Sequence, residues 1–291
     1  MNKKTRTILI CAVILMFAGG IMMAVGLLNG AKTTLYWDSK EHRLVSAGVD
    51  EMYVAREKFS VDAFDEIDIK VSRAKVKFVP ADGYYVEYSV MSDNENPLTV
   101  QNGKLTFRDD TSRYFEMNFG FFFNHEDRDE YLTIYYPKES EFESIAAELD
   151  MGSMEMSGVY AKTADIELSM GSLEVTDSRI DTFSAELDMG SLEMTNTETD
   201  VFSADLSMGD FTMLDAVVTG QLSAELDMGS AELSLAQKDS ENREIEYGCD
   251  LETDMGDVEV YGVEQGDKYS QPGDVMLKIS CDMGSIALNL Y

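Results

Sequence analysis

The second half of the chain alternates apolar and polar residues, and the alternation breaks at regular intervals at a Met-Gly pair. Successive pairs are 19, 19, 19, 20, 27 and 28 residues apart. Their methionines are Met151, Met170, Met189, Met208, Met228, Met255 and Met283. The positions four and two before each methionine, and three and five after it, are mostly apolar. Because alternation of period two is typical of a strand with one buried face, each repeat predicts two strands joined at the pair.

Counted from each methionine, the apolar positions are even-numbered before it and odd-numbered after it. This shift by one residue predicts a corner in the chain, with the strands on both sides of the corner facing the same interior. Glycine adopts positive φ at no steric cost, and so we assign the corners to the glycines of the pairs. These are Gly152, Gly171, Gly190, Gly209, Gly229, Gly256 and Gly284. A fixed period near 20 residues is typical of stacked coils. We therefore predict an all-β fold, a parallel β-solenoid with about 19–20 residues per coil over residues 141–291. A meander of antiparallel hairpins is the alternative.

Residues 59–140 predict an N-terminal β cap that contains a degenerate first coil. Ile67, Ile69, Val71, Ala74 and Val76 fit the repeat if Val71 and Ser72 replace the Met-Gly pair. The Asn102-Gly103 dipeptide predicts a hairpin turn. Further strands are predicted at residues 84–90, 98–100, 104–107 and 131–136. The polar segment from Asn196 to Asp200 predicts the return corner between coils, and the two longer repeat spacings predict surface loops around residues 238–244 and 262–272.

Two cysteines fall within the repeats, and their register argues against a disulfide. Cys249 and Cys281 occupy inward columns, but they lie about four residues apart along the strands. The Cα atoms of a disulfide must approach within about 7 Å. We therefore predict two buried free thiols that act as small apolar side chains.

An uncharged apolar run covers residues 8–28, and Lys3, Lys4 and Arg6 precede it. At about 1.5 Å per residue, this run is about 31 Å long as a helix, which matches a hydrocarbon core of about 30 Å. Positive residues favour the cytoplasmic side. We therefore expect residues 1–7 in the cytoplasm, a single-pass signal anchor in the cell membrane, a linker over residues 29–58 and an extracellular domain after it. A cleaved signal peptide is the alternative.

The formal net charge of −32 excludes nucleic acid as a partner, because phosphate binding needs clustered Lys and Arg. Stacked coils would align acidic residues in an outward column three positions before the methionines. Its members are Glu148, Glu167, Glu186, Asp205, Glu225 and Glu252. Carboxylates about 4.8 Å apart repel each other, and residues 141–235 hold only Lys162 and Arg179 against 21 acidic residues. We expect relief from water and salt, from bound Ca²⁺ or from a basic partner, and we expect no other cofactor.

Five phenylalanines crowd a stretch that we predict to be a loop between two strands. They are Phe115, Phe119, Phe121, Phe122 and Phe123. Such a cluster predicts either an apolar tip that binds a partner or a cover for the open end of the solenoid core. Catalysis needs one site whose surroundings differ from the rest, whereas the acidic columns are uniform. Neither His42 nor His125 stands beside a nucleophile in the sequence, and so we expect no enzymatic activity.

The order of segments resembles that of a known bacterial family. FDEIDIKVSRAKVKFV is followed by NGKLTF, by YLTIYYP and then by strand-glycine-strand phrases, over about residues 59–291. In this order the chain resembles the putative-adhesin family of β-strand-repeat domains of unknown function. The resemblance implies an exported β-solenoid, often behind a membrane helix, without established catalytic residues. It implies an adhesin-like binding protein of the cell surface, or a regulatory partner of a membrane protein in envelope-stress signalling. The common family corner is Ser-Gly-Asp, and so no binding detail transfers to Met-Gly-Ser.

Overall fold

The computed structural model describes residues 3–28, 34–38, 42–45, 53–92, 94–109, 114–118 and 129–291. Within them lie one helix, α1 (Lys3–Leu28), and eighteen strands. The strands are β1 (Thr34–Asp38), β2 (Arg43–Val45), β3 (Tyr53–Ser60), β4 (Glu66–Ala81), β5 (Tyr85–Met91), β6 (Leu98–Gln101), β7 (Lys104–Arg108), β8 (Tyr114–Asn118), β9 (Tyr131–Pro137), β10 (Glu141–Ser157), β11 (Tyr160–Thr176), β12 (Arg179–Thr195), β13 (Glu198–Leu235), β14 (Tyr247–Met255), β15 (Val258–Val260), β16 (Val263–Gly266), β17 (Lys268–Gln271) and β18 (Val275–Leu290). They fall into two compact units, one with α1, β1, β2 and β8, and one with the remaining strands.

The first unit contains a three-stranded sheet in which β1 pairs antiparallel with both β2 and β8. Its register sets Phe115 opposite Trp37, and so the prediction of a loop at Phe115 was wrong. Its partner strand lies far away in the sequence, and a local pattern does not reveal such a pairing. The other four phenylalanines, Phe119, Phe121, Phe122 and Phe123, lie outside the described residues. Three strands, β1 to β3, begin within residues 29–58, where we predicted a linker. No helix among the described residues is long and apolar enough to cross a membrane.

The second unit is a parallel β-solenoid. Strands β10 to β13 pair in parallel, and each residue faces the residue 19 positions further along the chain. Leu149 therefore faces Leu168, and Leu168 faces Leu187. β13 holds two successive coils in one continuous strand. Its second coil pairs in parallel with β18. The parallel prediction is therefore confirmed, and the antiparallel meander is excluded for these coils.

Each Met-Gly corner stacks one glycine directly on another. Six of the seven corner glycines have φ between +141° and +154°, a region that L side chains rarely adopt. A Cβ on Gly190 would lie only 1.7 Å from the carbonyl oxygen of Gly171 in the neighbouring coil. A side chain on Gly190 would therefore push its coil away from the coil of Gly171. The repetition of glycine follows from this backbone contact, as well as from the conformation that the sequence predicted.

The last two coils stack in the reverse of their order along the chain. β18 lies directly on β13, and the earlier strands β14 and β15 pair in parallel with the outer edge of β18. Residues 262–272 are not the loop that we predicted, because β16 and β17 fold back antiparallel onto β15 and β14. They pair with an edge that an end coil would otherwise leave open. Residues 238–244 do form a connection, closed by a bridge between Lys238 and Glu244.

The N-terminal cap is built on β4, which pairs in parallel with β10 on one edge and with β7 and β9 on the other. Strands β5 and β3 continue antiparallel from β9, and the predicted Asn102-Gly103 hairpin joins β6 to β7.

The first coil differs from its predicted register by two residues. Arg73 and Ala74, and not Val71 and Ser72, face the first Met-Gly pair. The alternation from Ile67 to Val71 permits both registers. Buried Phe78, opposite Met156, belongs to the observed one.

The interior consists of the apolar columns that the alternation predicted. Five leucines fill the column two residues before the methionines: Leu149, Leu168, Leu187, Leu206 and Leu226. Cys281 and Thr253 continue this column into the reversed coils. Cys249 and Cys281 are buried and free, as predicted, and Cys281 faces Thr253 while Cys249 faces Leu277. Burial raises the pKa of both thiols, which keeps them protonated and unreactive.

Replacement of a corner glycine should disrupt the stack. Gly190→Ala is expected to lower the free energy of unfolding by more than about 3 kcal/mol, or to prevent folding, because its Cβ overlaps the Gly171 carbonyl oxygen. Gly266→Ala is the matched control, since Gly266 has φ +89° but no atom within 4 Å of a Cβ. It should cost only about 1 kcal/mol. Urea denaturation followed by circular dichroism measures both, and equal losses would contradict a role for the contact between coils.

A second stability prediction concerns Thr253, which is buried and whose Oγ1 has no hydrogen-bond partner among the described atoms. Thr253→Val should raise the free energy of unfolding by about 1 kcal/mol, because it removes an unpaired hydroxyl without changing the shape of the side chain. Thr199 is the control, since its buried Oγ1 donates to the Val201 carbonyl oxygen at 3.3 Å. Thr199→Val should lower the free energy of unfolding by a similar amount. Calorimetry that shows Thr253→Val to be destabilising would contradict the prediction.

Candidate binding surface

An acidic column runs along the outward face of the coils. Glu148, Glu167, Glu186 and Asp205 face one another in direct register on β10 to β13. Glu225 follows one coil later in β13. The sequence predicted that Glu252 comes next, but the reversed order of the last coils puts Ser280 between the two. The predicted column of six is therefore a column of five, with Glu252 beyond a serine.

A lysine pairs with the acidic residue at each end of the row that runs from Glu148 to Glu252. Lys70 on β4 faces Glu148 and forms an ion pair with it. Lys268 on β17 faces Glu252 and does the same. The hydrogen bond to Glu148 raises the pKa of Lys70, and the hydrogen bond to Glu252 raises the pKa of Lys268. Both lysines lie outside residues 141–235, and so the charge count within that range did not reveal them.

A second acidic column lies four residues after the methionines and begins with Glu155, Glu174 and Glu193 in register. Lys75 and Lys77 on β4 form ion pairs with Glu155, the latter at 3.0 Å. Partial burial by itself would raise the pKa of Glu155, but hydrogen bonds from the two lysines outweigh burial and lower it. The first coil thus neutralises one end of both columns.

Among the described residues, no three His, Cys, Asp or Glu side chains form a group that could hold a metal ion. Members of the acidic column stand side by side along the stack. The Ca²⁺ ladder stays a prediction. His42 is exposed, and His125 lies outside the described residues.

A row of exposed methionines, which we call the methionine ridge, runs along the Met-Gly corner. Its members in stack order are Met151, Met170, Met189, Met208, Met228, Met283 and Met255. Six of these side chains are between 39% and 42% exposed, and Met255 is 64% exposed. We interpreted the pair as a corner from sequence and missed this surface. The signal was the same apolar residue at an outward position in every copy.

The return corner of the coils carries a cavity with a volume of about 540 Å³. Asp177, Asn196 and Asp215 stack there with φ between 50° and 52°, which confirms a corner at Asn196. Their polar groups are engaged, since Asn196 Nδ2 donates to Asp177 Oδ1 and Tyr291 Oη donates to Asp215 Oδ1, each at 2.6 Å. Burial and the Asp215 hydrogen bond raise the pKa of Tyr291 to about 12. Arg179 in this cavity pairs with Glu198 at 3.5 Å. These bonds stabilise the corner.

Comparison with known proteins identifies the family. The model of the Toastrack DUF4097 family matches residues 64–289, from the first coil to the last strand. The chain belongs to the Toastrack DUF4097 family. The resemblance stated from the order of sequence segments is thereby confirmed. No protein of curated function matches the chain.

Several solved structures are similar to this Toastrack protein at low identity, and each alignment covers 81% of its chain. A putative cell adhesion protein from Clostridium sporogenes is 11% identical over 100% of its own chain, with a TM-score of 0.36. A putative adhesin from Parabacteroides distasonis is 13% identical over 97% of its chain, with a TM-score of 0.42. A putative adhesin from Bacteroides fragilis is 8% identical over 97% of its chain, with a TM-score of 0.31. These values carry no argument about function.

Charge removal in the middle of the acidic column should stabilise the Toastrack domain. Glu186 lies between Glu167 and Asp205, and each neighbour repels it by about 1 kcal/mol in water before screening. Glu186→Gln should raise Tm by about 1–3 °C at low salt and by less at high salt. Glu148→Gln is the control, because it also loses the ion pair with Lys70 and should raise Tm less or lower it. Scanning calorimetry in a NaCl series measures both.

Equal shifts for the two variants at every salt concentration would contradict repulsion within the column. The same measurement tests the Ca²⁺ ladder. Bound Ca²⁺ would raise the wild-type Tm more than NaCl does at matched ionic strength, whereas screening by itself makes the two salts equivalent.

Proposed function

We propose that this protein is a non-catalytic binding protein of the bacterial cell envelope, anchored in the membrane at its N-terminus, whose solenoid presents a repeated surface to a partner as an adhesin does. One observation carries the proposal, namely the in-register repetition of equivalent outward side chains from coil to coil. Glu167 and Glu186 face each other directly, and so do Met170 and Met189. Such a surface suits an extended partner, because many weak contacts at a fixed spacing add up to strong binding.

Uniformity supports a binding role over catalysis. A catalytic acid or base needs surroundings that separate it from its neighbours, and the middle coils repeat one environment. Glu167, Glu186 and Asp205 are all exposed and all lie in the same register position. A uniform face of this kind offers several equivalent places to a ligand.

The proposed location is supported by the sequence. Residues 8–28 are uncharged and apolar, and they follow Lys3, Lys4 and Arg6. A net charge of −32 would repel anionic headgroups, and so attachment of the acidic domain to a membrane requires such a segment. The proposal places the domain after this segment outside the cell.

Cells that express the full chain with a C-terminal epitope test the location. We expect the epitope to be removed by protease added to intact cells, and the chain to stay with the membranes after an alkaline wash. A variant without residues 8–28 should be released by that wash, because it lacks the apolar segment. An epitope that is protected in intact cells would contradict an extracellular domain.

Binding is tested on the same cells. We expect full-chain protein to bind whole cells or isolated envelope glycans, and Glu167→Gln with Glu186→Gln, which should leave the fold intact, to change that binding. Photo-crosslinking to one membrane protein in place of binding to cells or glycans would indicate the regulatory role instead. Binding that this double variant leaves unchanged would contradict a role for the repeated acidic surface.

A further inference from the structure

The methionine ridge holds the same residue type in every Met-Gly coil, although its position is exposed and the core does not require methionine there. Three residues after each methionine, the buried side chain is of six different types among the seven coils: Met154, Leu173, Leu192, Phe211, Ala231, Ile286 and Val258. The exposed position holds methionine in all seven copies. Packing in the core accounts for different side chains at the buried position, but it does not account for the same side chain at an exposed position. We therefore attribute the constant methionine to a molecule that contacts the surface of the ridge.

The ridge also remains continuous where the acidic column does not. The reversed coils bring Ser280 into the acidic column, yet they place Met283 between Met228 and Met255. Seven coils about 4.8 Å apart give a ridge about 29 Å long. A helix of about 20 residues has the same length, at about 1.5 Å per residue.

Acidic residues border the ridge on both sides. One residue before the methionines stand exposed aspartates in five of the seven coils: Asp150, Asp188, Asp227, Asp282 and Asp254. Two residues after them stand Asp210 and Asp257, with serine in the other coils. The two columns of acidic residues described above lie further out on each side. At the first coil the pattern ends, because Arg73 takes the methionine position and pairs with Glu130 at 3.2 Å.

The charge of the acidic borders distinguishes among the molecules that could bind the methionine ridge. A second copy of the chain would bring another net charge of −32 against the same face. An anionic lipid surface would be repelled for the same reason. A basic amphipathic helix matches both features, because its apolar side can cover the thioethers and its Lys and Arg can reach the flanking carboxylates.

We propose that the methionine ridge binds a cationic amphipathic helix of about 20 residues, with its apolar face on the methionines and its basic residues on the acidic borders. This proposal rests on the binding function proposed above and names the chemistry of the partner. Methionine suits the role because its unbranched, polarisable side chain adapts to different apolar faces. The ridge therefore accepts helices of different sequence that share this pattern of charge and apolar residues.

Peptide binding to the full chain tests the proposal. The probe is a fluorescein-labelled 20-residue peptide of Leu and Lys with Leu along one helical face, and the control peptide has the same composition in scrambled order. The protein is held in phosphatidylcholine nanodiscs, and the signal of empty nanodiscs is subtracted. We expect M170Q/M189Q/M208Q to raise Kd at least about tenfold by loss of apolar contact, and M170L/M189L/M208L to raise it less than about threefold.

Methyl signals of ¹³C-labelled methionine locate the contact. We expect the peptide to shift the signals of ridge methionines and to leave those of buried Met154, Met194 and Met213 in place. High salt should weaken binding, because the acidic borders contribute to it. Circular dichroism checks that the variants, which change only exposed side chains, keep the fold.

Four results would overturn the proposal, and a fifth, given last, would overturn it while leaving the proposed function in place. The first is equal binding of the scrambled peptide, and the second is an unchanged Kd for the triple Gln variant. The third is a shift of the ridge methionine signals when the protein is concentrated without peptide. The fourth is a shift of these signals when phosphatidylglycerol replaces phosphatidylcholine. The third result would identify a second copy as the occupant, and the fourth a lipid surface. If neither peptide binds while the full chain still binds cells or envelope glycans, the ridge proposal fails and the proposed function stands.

Discussion

Contact between the backbones of corner glycines is the constraint on which the rest of this structure depends. The carbonyl oxygen of Gly171 occupies the place where a side chain of Gly190 would be, and the same contact recurs along the corner. Each Met-Gly coil can approach the coil beneath it to strand spacing only because it brings a glycine to this point, and the first coil, which has no coil of this kind beneath it, carries Ala74 there instead. That requirement holds neighbouring coils in one register. Every outward side chain then lies beside its equivalent in the next coil, which creates the acidic columns and the methionine ridge together.

Acidic side chains at equivalent positions of neighbouring coils repel one another, and lysines at the ends of the solenoid partly offset this repulsion. Lys70 at one end faces Glu148, and Lys268 at the other faces Glu252, which lies beyond Ser280. The strands that carry these lysines also pair with the open edges of the terminal coils, and so the same elements close the sheet and neutralise its ends. The middle coils keep their negative charge. Their acidic side chains remain exposed, and this leaves them available to a cationic partner.

The surface that results combines an apolar row with acidic borders. Exposed thioethers form a continuous apolar row, and exposed carboxylates border it. In the proposed complex, the acidic borders would favour rapid encounter with a basic helix, and the methionines would supply apolar contact after the encounter. Because the same outward side chains recur in each coil, a long partner could contact several coils at once. The proposed binding role of this Toastrack domain rests on that combination more than on any single residue.

The sequence by itself determined the features that depend on neighbouring residues. Alternation of period two identified the inward columns, the corner glycines followed from the change of parity, and the Asn102-Gly103 hairpin followed from its turn residues. The register of Cys249 and Cys281 was enough to predict free thiols. Only the tertiary structure decided the register of the first coil, the reversed order of the last two, the pairing of β1 with β8, and the lysines at the ends of the acidic column. The physical reason is that similar coils offer similar edges. Local pattern therefore defines each coil, whereas the choice of its neighbour depends on connections and caps that lie far apart in the chain.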